Sequence, residues 1–173
     1  MNFEDALTEL FQLHEYEMAY RLKEMYESRK LRSKTFYRIL GFIWSMCESM
    51  GGLSDLIYET MHQHTTPGTL HIPVMMTREE QKALAALPEK LEVYRGCNPV
   101  NRDGFSWTLD RSTAEWFAYR FSSIKGQPIL LTATIERSMI TAVNLSRKGE
   151  REVILFYMPG DDEVKEVALP IAA

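Results

Sequence analysis

Apolar residues at Phe3, Leu7, Leu10, Phe11, Met18, Leu22, Met25 and Tyr26 recur at three- and four-residue steps, which lines one face of a helix and predicts helix over residues 3–27. Asn2 stands where a side chain can cap the first turn, three residues before Asp5. The same period returns at Phe36, Ile39, Leu40, Ile43, Trp44 and Cys47. It predicts a second helix that starts near Ser33 and ends at Gly51-Gly52, where a glycine can take the left-handed cap. A shorter helix is expected over 54–62, and Thr65-Thr66-Pro67-Gly68 then breaks the pattern as a linker. Thr77-Arg78-Glu79-Glu80 has the form of a capping box and opens a further helix, closed by Pro88.

Beyond Pro88 the period shortens from helical to alternating. Strands are expected over 91–95, ended by Gly96, then over 105–109, 128–135, 139–145, a segment opened by Glu152, and 163–169. The turn-forming residues of 98–104 and the stretch 122–127 read as loops. Asp110 is placed to cap one intervening helix with an apolar face of Ala114, Phe117, Ala118 and Phe121. Several short strands around one helix imply an α+β domain with a mainly antiparallel sheet, preceded by a helical segment. The expected division is a helical segment over 1–64 and a sheet domain over 65–173, together forming one compact unit.

Composition narrows the function classes. With 173 residues and 45% hydrophobic content the chain can bury a proper core. Twenty basic residues against 24 acidic ones give a net charge of −4, so no strongly basic surface advertises nucleic acid, although a local patch is compatible with these totals. Cys47 and Cys97 form neither a disulfide framework nor a metal-binding spacing. His62, His64 and His71 cluster in and beside the linker, but no carboxylate or thiol completes a ligand set, so they read as surface histidines and no metal is expected. Glu4, Asp5 and Glu9 are unlike the basic start of a signal peptide, and no apolar run approaches membrane-spanning length. The expectation is a cytoplasmic protein with no membrane partner.

Three groups of residues in the second half carry chemistry. Arg95 precedes Gly96 at a strand end, and a guanidinium is suited to a phosphate or diphosphate because its planar fork donates paired hydrogen bonds. Ser106-Trp107-Thr108 lies on the next strand, where alternation turns Trp107 away from Ser106 and into the core. Glu150 and Glu152 sit at the mouth of the apolar run Val153-Ile154-Leu155-Phe156. On a continuous strand the two would share a face, about 7 Å apart. A carboxylate beside a ribose can stabilise an oxocarbenium-like centre.

In this order, Arg95-Gly96, Ser106-x-Thr108 and Glu150-x-Glu152 resemble the Arg, Ser-Thr-Ser and Glu-x-Glu motifs of the mono-ADP-ribosyltransferases related to bacterial toxins. The resemblance spans residues 91–157. It implies an ADP-ribosyltransferase-like sheet and NAD as co-substrate. It also implies transfer of ADP-ribose to a macromolecular acceptor with release of nicotinamide, in the setting of a bacterial or phage toxin or effector. Carried over, Arg95 contacts the NAD phosphates and adjacent ribose, and the Gly96 backbone faces the nicotinamide amide. Ser106 holds the catalytic carboxylate, and Thr108 stabilises the same strand. Glu152 is the catalytic glutamate. Glu150 is acceptor-facing, and a glutamate there resembles the arginine-modifying members.

By the same resemblance, residues 145–149 form the acceptor-reading turn and 119–126 the loop over the nicotinamide and phosphates, with Tyr119 or Phe121 to stack. Trp107 departs from the usual middle motif, which has Thr there and Ser at position 108. Two alternatives accompany this reading. In one the acceptor is RNA or DNA, met by Lys125, Arg147 and Lys148. In the other the fold is a catalytically inactive binding or inhibitory module. The helices before residue 65 lie outside the resemblance and are expected to pack on the sheet domain or to offer a docking surface to a target or neutralising partner.

Overall fold

The computed structural model describes residues 1–47, 53–57, 72–120, 122–146, 149–157 and 159–170. Contacts divide the chain into two compact units, Met1–Glu79 and Glu80–Ala173.

The first unit is helical. The periodic stretch 3–27 forms two helices, α1 (Phe3–Leu10) and α2 (Glu15–Glu27), rather than the single helix its spacing predicts. The N–H groups of Gln12 and Leu13 bond back to the carbonyls of Glu9 and Leu10, tightening the end of α1 into a turn. The His14 N–H then donates to the Glu17 carboxylate at 3.1 Å, an arrangement that starts a new helix. Apolar spacing cannot register this break, because Leu10 before the turn and Met18 after it are both buried. Asn2 caps α1 as expected, its side chain accepting from the Asp5 N–H.

Helix α3 (Ser33–Ile43) stops well before Gly51-Gly52, with a turn at 44–46 in which Met46 N–H reaches Ile43 O at 2.9 Å. Leu22, Met25, Phe36, Ile39, Leu40 and Ile43 are all buried and form the apolar interior of this unit. Described helical residues 53–57 belong to a fourth helix, α4, and a 3-10 turn covers Ile72–Met75. The predicted end of α4, the 65–68 linker and His62, His64 and His71 lie outside the described residues.

The second unit carries a six-stranded sheet, so the chain is α+β: helices first, then an antiparallel sheet. Helix α5 (Arg78–Ala86) leads into β1 (Lys90–Cys97), then β2 (Ser106–Thr108), α6 (Arg111–Tyr119) and the short helix α7 (Ser122–Lys125). These are followed by β3 (Ile129–Glu136), β4 (Ala142–Asn144), β5 (Glu152–Ile154) and β6 (Val164–Ala168). The spatial order is β4-β5-β2-β1-β3-β6, with every pairing antiparallel. Two local expectations change. Gly96 does not end β1 but pairs with Leu130 inside it, and part of the expected loop 122–127 is the turn of helix α7.

Alternation gives the sheet two different faces. On one, Val93, Cys97, Trp107, Leu131, Ala133, Val143 and Val153 form the main core, joined by Ala83, Leu84 and Leu87 from α5 and its C-terminal end. Trp107 is 2% exposed, as alternation predicts, and its Nε1 has no hydrogen-bond partner among the described residues. On the other face Ala114 and Ala118 of α6 pack on Leu130, Leu169 and Tyr94. Arg137 fastens the turn after β3 to the end of α5. It donates to the carbonyls of Ala85 and Leu87 at 3.1 and 2.6 Å, where a cation suits the exposed carbonyls of a helix C-terminus.

Candidate functional site

Sheet register assembles the motifs. Ser106 lies opposite Ile154 and Thr108 opposite Glu152 across β2 and β5, while Tyr94 of β1 lies opposite Thr108 and Asn144 of β4 opposite Glu152. Directly opposed residues share a face, so Asn144, Glu152, Thr108 and Tyr94 form one row across four strands. Ser106 stands two residues along the same face. The three motif segments, separated by up to 57 positions in sequence (95 to 152), therefore lie on three adjacent strands, β1, β2 and β5.

Thr108 is the pin of this arrangement. It is 6% exposed, donates its hydroxyl proton to the Glu150 carbonyl and accepts the Asp110 N–H at 3.0 Å. One side chain so ties the turn carrying Glu150 to the start of α6. The Asp110 carboxylate caps that helix, accepting from the Ser112 hydroxyl at 2.6 Å and the Thr113 N–H at 2.8 Å. Those bonds, that of Ser112 foremost, hold its pKa below the usual carboxylate value, so the cap persists down into the acid range. Thr108→Val keeps the shape but leaves the Glu150 carbonyl and the Asp110 amide without this partner. It should lower unfolding stability by about 1–3 kcal/mol in urea titration. An unchanged midpoint would mean the hydroxyl is dispensable.

Glu150 and Glu152 do not share a strand face. Strand β5 begins at Glu152, while Gly149 (φ 90°) and Arg151 (φ 44°) are both left-handed and set Glu150 in a turn. The expected two-residue alternation requires extended backbone at Arg151, which is absent. Glycine tolerates this conformation at 149; arginine at 151 adopts it at a steric cost. The other end of the turn is also held. Asn144 Oδ1 accepts from the Ser146 N–H at 2.9 Å, and a Glu80 carboxylate oxygen accepts from the Leu145 N–H at 2.9 Å. Arg147 and Lys148, within this turn, lie outside the described residues.

Arg95 belongs by register to the opposite face, alongside Trp107 rather than Thr108. Its guanidinium donates to the main-chain carbonyls of Asn101 (2.6 Å), Arg102 (3.1 Å) and Ser106 (2.6 Å). Gly104 admits it, since a Cβ there would stand 2.2 Å from Arg95 Nη2. Arg95 thus organises the 98–105 loop leading into Ser106, whereas the resemblance assigns its side chain to a dinucleotide. Arg102 fastens the same loop to β6 through Glu166 at 2.8 Å.

Gly96 lies beneath α6. Tyr119, 37% exposed, ends that helix, and Trp116, 57% exposed, has the Arg120 guanidinium 5.6 Å from its ring centroid. Phe121 lies outside the described residues, as does the Lys125 side chain. The Ser106 hydroxyl makes no hydrogen bond to a described residue, and its direct neighbour on β5 is Ile154, so Glu152 is its diagonal neighbour.

Two members of the row, Tyr94 and Asn144, escaped the sequence reading. Tyr94 OH donates to the Glu92 carboxylate at 2.9 Å, which pushes the phenol pKa up. Asn144 is buried at the end of an apolar strand, a position that asparagine disfavours; that mismatch was the available signal. Burial also pushes up the Cys97 thiol against the opposing effect of Arg95, and raises Cys47 to about 11, so neither is a ready thiolate.

Among the described residues no group of three His, Cys, Asp or Glu could hold a metal, and no helix is long and apolar enough to cross a membrane. Comparison with protein-family models, curated proteins and solved structures finds no match for this chain.

Proposed function

We propose that the chain is an NAD-dependent mono-ADP-ribosyltransferase, acting as a bacterial or phage toxin or effector inside the cell. The supporting observation is the convergence of Arg95-Gly96, Ser106-x-Thr108 and Glu150-x-Glu152 on adjacent strands, with Thr108 opposite Glu152 and bonded to the Glu150 carbonyl. In this reading Glu152 stabilises the positive charge that develops on the ribose as nicotinamide leaves. Ser106 and Thr108 line the same strand pair. Arg95 holds the loop on which Ser106 depends, and the resemblance gives Tyr119 or Phe121 the task of stacking on the nicotinamide. Glu150 faces the acceptor, for which a protein arginine is the first choice.

Incubating the full chain with NAD labelled in its adenylate part and cell lysate, then separating protein from nucleic acid, tests both activity and acceptor class. Label in protein supports this reading, and label in RNA or DNA moves the acceptor. Absence of both label and nicotinamide release returns the chain to the inactive-module alternative.

Glu150 gives a sharper test. Because its turn is separate from the strand bearing Glu152, Glu150→Gln should lose transfer to the acceptor by about 10²-fold, a general-base contribution, while still releasing nicotinamide by hydrolysis. Equal loss of both products would assign Glu150 to the NAD step instead.

A further inference from the structure

We propose that the loop joining α2 to α3, with the first turn of α3, binds the phosphate backbone of a nucleic acid. This surface belongs to the first unit and does not depend on the transferase reading. Charge along that unit is segregated: residues 1–20 contain five carboxylates and no lysine or arginine, while 28–38 contain Arg29, Lys30, Arg32, Lys34 and Arg38 and no carboxylate. The ion pairs described in the unit join Arg21 to Glu9 and Glu24, and Lys23 to Glu27. None reaches the later segment. Arg29, Lys30, Arg32 and Lys34 are exposed and form no ion pair among the described residues, while the Arg38 guanidinium lies 3.9 Å from the Phe3 ring centroid.

Among the described residues the same site lacks the features that would neutralise it. Helix α3 has Arg32 at its N-cap with no side-chain cap bond and no acidic residue in its first turn, so amide and side-chain charge there have the same sign. Such an arrangement stabilises bound anions, and four cations along the loop and the first turn of α3 suit a repeating phosphate chain. A membrane fits less well, because basic interfacial segments also insert apolar side chains. Here Leu31, Phe36 and Tyr37 are 4%, 2% and 2% exposed.

The test measures fluorescence anisotropy of labelled single-stranded RNA and DNA, each of about 20 nucleotides, with the full chain, and co-sedimentation with phosphatidylserine vesicles. Four phosphate contacts, each releasing about 0.7 counterion, predict about 50-fold weaker binding between about 50 and about 200 mM salt. The variant carrying Arg32→Ser and Lys34→Glu should bind at least about ten-fold more weakly. It should hold its helical circular dichroism, because serine caps a helix start and glutamate favours its dipole. Lys30→Arg should bind like the parent.

Steep salt dependence with loss in the double variant, on either nucleic acid, supports the surface. No binding at about 50 mM salt, an affinity indifferent to the double variant, or a variant-sensitive preference for vesicles would each overturn it.

Discussion

Glu152→Gln is expected to fold like the parent and to release nicotinamide from NAD about 10² to 10³ times more slowly. Glutamine preserves the size of the side chain, and the residue's cross-strand neighbours, Thr108 and Asn144, are neutral. What it removes is the negative charge, and in the proposed reaction that charge matters most at the transition state, where the ribose becomes oxocarbenium-like. Nicotinamide release followed by chromatography, beside a thermal melt, separates catalysis from folding. A variant that turns over NAD at the parent rate would sink the assignment of the site, and a collapsed melt would make Glu152 a structural residue.

The sheet was legible where burial alternates, as in the second half of β3, while β2, β4 and β5, with consecutive buried residues, showed as short apolar runs. Val93 and Trp107 point into the same core, and counting in twos finds them without tertiary information. Order of the strands was not legible. The β1–β2 and β2–β5 neighbours depend on which edges meet in space, and nothing local in Ser106–Thr108 names Glu152 as the partner of Thr108.

Three features, two in the site and one in the helical unit, stayed hidden for related reasons. Side-chain bonds to backbone groups distant in sequence, such as Thr108 to Glu150 or Arg95 to Asn101, Arg102 and Ser106, leave no period. The left-handed Arg151 breaks an alternation that the residue type gives no reason to doubt. His14 with Glu17 divides what spacing shows as one helix, because a capping arrangement can restart a helix without shifting its apolar face.

Gly96→Ala should be among the most disruptive single changes in the sheet unit. A Cβ at this position would lie 1.7 Å from the Ala114 carbonyl oxygen and 2.6 Å from the Ala118 nitrogen, both backbone atoms of α6. No side-chain rotation relieves such a contact, so the helix must lift from β1. Overpacking of this kind costs about 1–3 kcal/mol and more where backbone must move, exceeding what alanine gains over glycine in a strand.

The displacement has a route to the site. Helix α6 begins at Asp110, whose N–H is held by Thr108, and Thr108 in turn holds the Glu150 carbonyl. Urea unfolding should therefore show a lowered midpoint together with reduced nicotinamide release. Adding Ala114→Gly should not restore either, since the carbonyl remains when the methyl is removed. The resemblance gives Gly96 another task, presenting its backbone to nicotinamide, and the two roles separate in the same measurement. Parent-like stability with weakened NAD binding would favour the ligand role; a stability loss shared by NAD-free protein identifies Gly96 first as the residue that lets α6 lie on the sheet.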